Sequence, residues 1–151
     1  MAEFLKVLSN DAQGHRDVQL FFVHSDSAQI TADTTATVFV APVAGRIVNV
    51  VGSVVTNGVD GTNPFSLAFD VRKNGTSVAS TVPAIDKAAG TGARNTFAAA
   101  TGITQAAIKT DGTQIVAAGD AITVVYDITR TTPATECAGA AVLVVFEPYA
   151  S

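Results

Sequence analysis

In "AITVVYDIT" (Ala121–Thr129) the side chains alternate, with Ile122, Val124, Tyr126 and Ile128 on one face and Thr123, Val125, Asp127 and Thr129 on the other. "SLAFDVR" does the same, setting Leu67, Phe69 and Val71 against Ala68, Asp70 and Arg72. A period of two is that of a pleated strand, and one apolar face per strand predicts a sheet with one side in a core and the other wetter. Turn signals cut the chain at short intervals, as antiparallel all-β folds require. Asn74-Gly75 predicts a tight type I′ hairpin, because both residues tolerate positive φ. Pro42 and Gly45 divide an apolar stretch into strands at 34–40 and 46–56, and Gly119-Asp120 turns the chain into the strand at 121–129. Residues 18–24 read as the first strand of the domain. Residues 140–147 are apolar at nearly every position, which predicts burial on both faces or contact with a neighbouring subunit.

Three stretches lack that alternation. In "TVFVAPVAGRIVNVVGSVVTNG" (37–58) both parities are apolar, with Arg46 as the only charge, which is more apolar surface than one face of a small sandwich needs. Packing against sister subunits would use the excess. Residues 86–114 are rich in Ala, Gly and Thr without a period, and are expected to form a long loop with a short strand near 96–100. The start, "AEFLKVLS", reads as a helical turn or, better, as an extended arm. The expected organisation is an arm over residues 1–16 and one domain over 17–151.

Composition agrees with strands. Val 21, Ile 8 and Thr 19 together make 48 of 151 residues, against only five Leu, and β-branched side chains favour the pleated sheet over the helix. A chain of 151 residues suits a single core. Charged residues are only 15% of the chain, against about 25% in ordinary soluble domains. A surface so poor in charge is expected to be partly covered by other subunits. The net charge is −4 and the basic residues are scattered singly, so direct nucleic-acid binding is not expected. There is no secretory-signal pattern at the start and no apolar run of the ~20 residues needed to span a bilayer, so neither export nor a membrane partner is expected.

Candidate chemistry is sparse. "GHRDVQLFFVHSD" holds His15, Asp17, His24 and Asp26, but a straight strand would separate the two histidines by about 30 Å, so a shared metal is not expected. Cys137, the single cysteine, lies in "TECAGAAV" and reads as a small buried residue rather than a nucleophile. It excludes an internal disulfide and weakly favours a reducing compartment. Asp70 and Asp127 could meet across strands, though solvated strand faces explain them as well. Asn74-Gly75-Thr76 matches a glycosylation acceptor in form, but the hairpin reading is stronger. Phosphate-loop and nucleophile-elbow motifs are absent, and no cofactor or enzyme activity is expected.

Three blocks in order, "FVAPVAGRI", "FDVRKNGTSV" and "VAAGDAITVVYD", followed by "AAVLVVFEP", resemble the small jelly-roll head decoration (cement) proteins of tailed bacteriophages over residues 34–148. The resemblance implies an antiparallel jelly-roll β-sandwich, without catalytic activity, that forms a homotrimer. It would bind the major capsid protein on the outer surface of the virion, after synthesis in the host cytoplasm, and stabilise the shell against internal DNA pressure. It carries over scaffold turns only: Pro42, Gly45, Asn74, Gly75, Gly119 and Asp120. Capsid-contact candidates come from the sequence, as the apolar anchors Phe4, Leu5 and Val7 of the arm. Similar turns occur in the receptor-binding or adhesive jelly-roll heads of phage tail fibres, which is the alternative. A trimeric nucleotide hydrolase on a β scaffold is disfavoured, because "VVFEPYAS" offers no Gly-rich phosphate-binding tail.

Overall fold

Alternating β-branched residues build antiparallel strands whose apolar faces close on one core. The computed structural model describes residues 3–10 and 16–149, with side chains over 18–149. In chain order the strands are β1 (Glu3–Asn10), β2 (Arg16–Gln29), β3 (Thr34–Val40), β4 (Gly45–Val54) and β5 (Ser66–Lys73). Short strands follow: β6 (Thr76–Ser77), β7 (Ala79–Thr81), β8 (Ala84–Asp86), β9 (Arg94–Asn95), β10 (Ile103–Thr104), β11 (Ala107–Ile108) and β12 (Ile115–Val116). Two long ones, β13 (Ala121–Thr129) and β14 (Ala138–Pro148), complete the chain. The first sheet has the order β1-β2-β14-β4-β12, with β9 also on β4, and the second β10-β8-β5-β13-β3, with β6 on β5. The fold is an all-β sandwich.

The faces follow the period of two. Leu67, Phe69, Val71, Ile122, Val124 and Tyr126 are buried from the second sheet, and Leu20, Phe22, Val142, Val144 and Phe146 from the first. Phe22 and Phe39 stack with ring centroids 3.8 Å apart, and Phe146 stands edge-on to both. Phe69 lies so close over Gly52 that any side chain there would collide with its ring. The central strand of the first sheet is β14, between β2 and β4, with Ala140, Val142, Val144 and Phe146 facing inward and Val145 buried on the outer side.

The doubly apolar stretch has a local cause the periodicity does not reveal. In the ladder with β14, Ile47 pairs with Phe146 and Asn49 with Val145, so Val48 is an extra residue, a β-bulge in β4. The buried positions change there from Gly45 and Ile47 to Val50, Gly52 and Val54. A second bulge, at Val38 in β3, moves the buried set from Ala36 and Val38 to Phe39 and Ala41. Each bulge reverses the parity, so both parities must be apolar within one strand.

One expectation is corrected. Residues 96–100 are not a strand: Thr96 is buried and Ala100 forms only an isolated bridge with Ile103, while short strands lie on either side. The edge of β4 recruits this segment, since the Thr96 N–H donates to the Gly52 carbonyl at 2.9 Å and the Thr96 hydroxyl accepts from the Gly52 N–H at 2.9 Å. The start of the chain, expected as an extended arm, is extended over residues 3–10. It is an edge strand, paired with β2 from Glu3↔Val23 to Asn10↔Arg16.

Candidate functional site

The three turns marked in the sequence lie far apart along the chain and meet at one end of the sandwich. Asn74 and Gly75 take φ of 47° and 88°, as a type I′ turn requires. Asn74 Nδ2 donates to Asp120 Oδ1 at 2.8 Å, and the Ala121 N–H donates to Asn74 Oδ1 at 3.0 Å. Asp120 closes its own turn, accepting the Ala117 N–H on Oδ2 at 2.8 Å, while Gly119 takes φ of 91°. These donors, with Ala117 first, hold the Asp120 carboxyl below the usual carboxylate range.

The third turn is tied to the second by backbone alone. The Ala41 N–H donates to the Asp120 carbonyl at 2.9 Å and the Gly119 N–H to the Ala41 carbonyl at 2.8 Å. Pro42 sits exposed in that turn. Gly45 has no space for a Cβ, because the Glu147 carbonyl and the Phe146 ring press on it. The Tyr149 N–H donates to the Ala44 carbonyl at 3.0 Å, and Lys73 Nζ donates to the Ile115 carbonyl at 2.7 Å, so β12 and the end of β14 join the same cluster.

Upon this frame stand four exposed apolar side chains: Val40 at 57% exposure, Val43 at 44%, Ile115 at 39% and Tyr149 at 46%. Of the large exposed hydrophobic residues described, only Val55 and Phe97 lie elsewhere. The Arg46–Glu147 ion pair, at 3.0 Å and open to solvent, lies beside the cluster. A hydrogen-bonded base with exposed apolar side chains at its edges is suited to contact with another protein surface.

The other candidates stay apart. His15 lies outside the described residues, and the Asp17 side chain does too. His24 points inward, with Nδ1 2.8 Å from the Tyr126 hydroxyl. Burial lowers its pKa, and burial raises that of Tyr126. Asp26 Oδ1 accepts the N–H of Ala28. No group of three metal-ligating side chains converges among the described residues. Cys137 is fully buried, and burial pushes its thiol up to about 11, which keeps it protonated at neutral pH. Asp70 is paired with Arg72 at 2.7 Å on the outer face of the second sheet.

Phe4, Leu5 and Val7 fall on β1, in register with Phe22, Phe21 and Gln19, and their side chains lie outside the described residues. The exposed tips Val40, Val43, Ile115 and Tyr149 are not marked by any sequence pattern. They come to the same end of the sandwich only because the turns converge, with Ile115 on the outer side of the first sheet beside Arg46 and Val40 on the outer side of the second beside Ala121. No protein-family model, curated protein or solved structure matches the chain.

Proposed function

We propose that this protein is a structural decoration (cement) protein of a tailed-phage head, acting as a homotrimer that grips the outside of the capsid lattice. The observation that carries the reading is the convergence of the three resembling blocks into one hydrogen-bonded cluster of turns, at the end of the sandwich where Val40, Val43, Ile115 and Tyr149 are exposed. A protein that stabilises a shell needs a stiff contact surface rather than a reactive one. Apolar tips remove area from water when they dock, and a pre-ordered base keeps the ordering cost of docking low.

A jelly roll has two four-stranded sheets linked as two Greek keys. The order β2-β14-β4-β12 against β3-β13-β5-β8 supports that topology for this chain, with the remaining short strands as additions.

The test is co-sedimentation of the purified protein with undecorated phage heads. Saturable binding to assembled heads, with at least tenfold weaker binding by a Val43→Asp, Tyr149→Ser variant of unchanged circular dichroism, is the expected result. Absence of binding to any head together with specific retention on glycan arrays would replace this reading with that of an adhesive fibre head.

A further inference from the structure

The chain holds two Asn-Gly pairs, Asn57-Gly58 and Asn74-Gly75, and the fold treats them oppositely. An asparagine before glycine has its side-chain amide within reach of a backbone nitrogen that no Cβ shields. Asn57 and Gly58 are buried. Asn57 Nδ2 donates to the Asp86 carbonyl at 2.9 Å and to the Gly90 carbonyl at 3.0 Å, and its backbone N–H donates to the Gly92 carbonyl at 3.0 Å. The Phe65 ring presses on Gly58 so closely that a Cβ there would collide with it. Releasing Asn57 therefore means lifting residues 86–92 and disturbing the core around Phe65.

Asn74 and Gly75 are exposed at the tip of the β5–β6 hairpin, and the space around Gly75 is open. In the left-handed region, ψ of about +30 to +60° turns the following nitrogen away from the asparagine Cβ, so attack on the side chain waits for the turn to open. That opening is small. β6 pairs with β5 at two positions, Arg72↔Ser77 and Lys73↔Thr76, and the remaining ties are the Asn74 bonds to Asp120 and Ala121. An exposed two-residue strand that leaves the core packed lies at the low end of local opening free energies, whereas Asn57 lies near the global end.

We infer that Asn74 is a deamidation site, converted in the folded protein through local opening of the β5–β6 hairpin, and that its conversion unties the cluster of turns. The Gly75 nitrogen bonds to the Asn74 side-chain carbonyl carbon, and the side-chain nitrogen leaves as ammonia with the proton given up by Gly75. Water then opens the five-membered imide by cleaving one of its two carbon–nitrogen bonds. The product is aspartate, or isoaspartate with the main chain running through the side-chain carbon.

Both products disturb the same contact. Asn74 Nδ2 donates to Asp120 Oδ1 at 2.8 Å, and Asp120 stays ionised at neutral pH because its hydrogen bonds hold the carboxyl low. Aspartate at 74 replaces that donor with a second negative charge. Isoaspartate lengthens the main chain, so the two-residue turn loses its geometry. The inference does not depend on what the protein binds.

The experiment is peptide mapping by mass spectrometry of the full chain kept in mildly alkaline buffer, folded and in urea. In urea both asparagines are expected to convert at similar rates. In the folded chain Asn74 is expected to convert roughly tenfold or more faster than Asn57. Folded-state conversion of Asn57 at the pace of Asn74 overturns the inference, and so does an Asn74 that converts as slowly as Asn57. The consequence is read from thermal midpoints: Asn74→Asp is expected to melt below the wild type, and adding Asp120→Asn to it to restore most of the loss. An Asn74→Asp variant that melts like the wild type overturns the untying of the turns. Should that variant not fold, the converted fraction of aged wild type, separated by anion exchange, is melted in its place and read the same way.

Discussion

At the residue scale, His24 sets a pH dependence of stability. The histidine faces inward against the fully buried Tyr126, its Nδ1 2.8 Å from the tyrosine hydroxyl. Burial lowers its pKa in the native state, with Asp26 acting in the opposite direction. An unfolded chain takes up a proton near pH 6.5, and the native state resists it, so the unfolded state binds more protons as the pH falls. Stability is therefore full above about pH 6.5, declines as the pH falls through that value, and levels off below the native pKa. The thermal midpoint is expected to drop between pH 7 and 5, and His24→Asn is expected to remove most of that drop. Calorimetry across this range checks it; an identical slope in the variant would assign the dependence to other groups. The carboxyls of Asp60, Asp111 and Asp120, all held low by hydrogen bonds, act only in more acidic solution.

At the scale of elements, the hairpin between β5 and β6 was legible because the need for positive φ at two successive positions leaves few sequences other than Asn-Gly. The hydrogen bonds from Asn74 to the Asp120 turn were not, since they join residues 46 apart in sequence. Two variants separate the roles. Asn74→Gly keeps the backbone conformation and removes only the side-chain bonds, whereas Asn74→Ala adds a left-handed strain of about 1–2 kcal/mol. Chemical denaturation is expected to rank wild type, then Asn74→Gly, then Asn74→Ala. An Asn74→Ala as stable as Asn74→Gly would mean that the turn relaxes instead of carrying the strain.

The bulges in β3 and β4 belong to this scale as well. Apolar residues at both parities look from sequence like an excess that demands a partner. Part of that excess is internal, because Val38 and Val48 shift which side faces the core. What remains on the outside of β4 is chiefly Val51, in register with Leu143 and, across it, with Val23.

At the scale of the whole molecule, the sandwich presents two surfaces of different character: a platform of turns at one end and an apolar sheet face on one side. If the chain assembles as the proposed homotrimer, folding and assembly are linked, and mass action raises apparent stability with concentration. The thermal midpoint is expected to rise over a hundredfold increase in protein concentration. Calorimetry at two concentrations is sufficient, and a wild-type midpoint that does not move would indicate a monomer.

The sequence by itself determined the all-β class, the strand at Ala121–Thr129, the inward set Leu67, Phe69 and Val71, and the hairpin at Asn74-Gly75. Each of these depends on neighbours within a few residues: side-chain alternation, β-branching, or the φ that a turn imposes. Only the tertiary structure decided that Thr96 bonds to Gly52, that residues 3–10 pair with β2, and that Val48 reverses the parity of β4. It also decided that Val40, Val43, Ile115 and Tyr149 come to the same end of the sandwich. Pairing in a sheet joins residues through backbone hydrogen bonds that carry little residue identity. Which segment fills an open edge is settled by the shape of the packed whole, and no short stretch of the chain contains that shape.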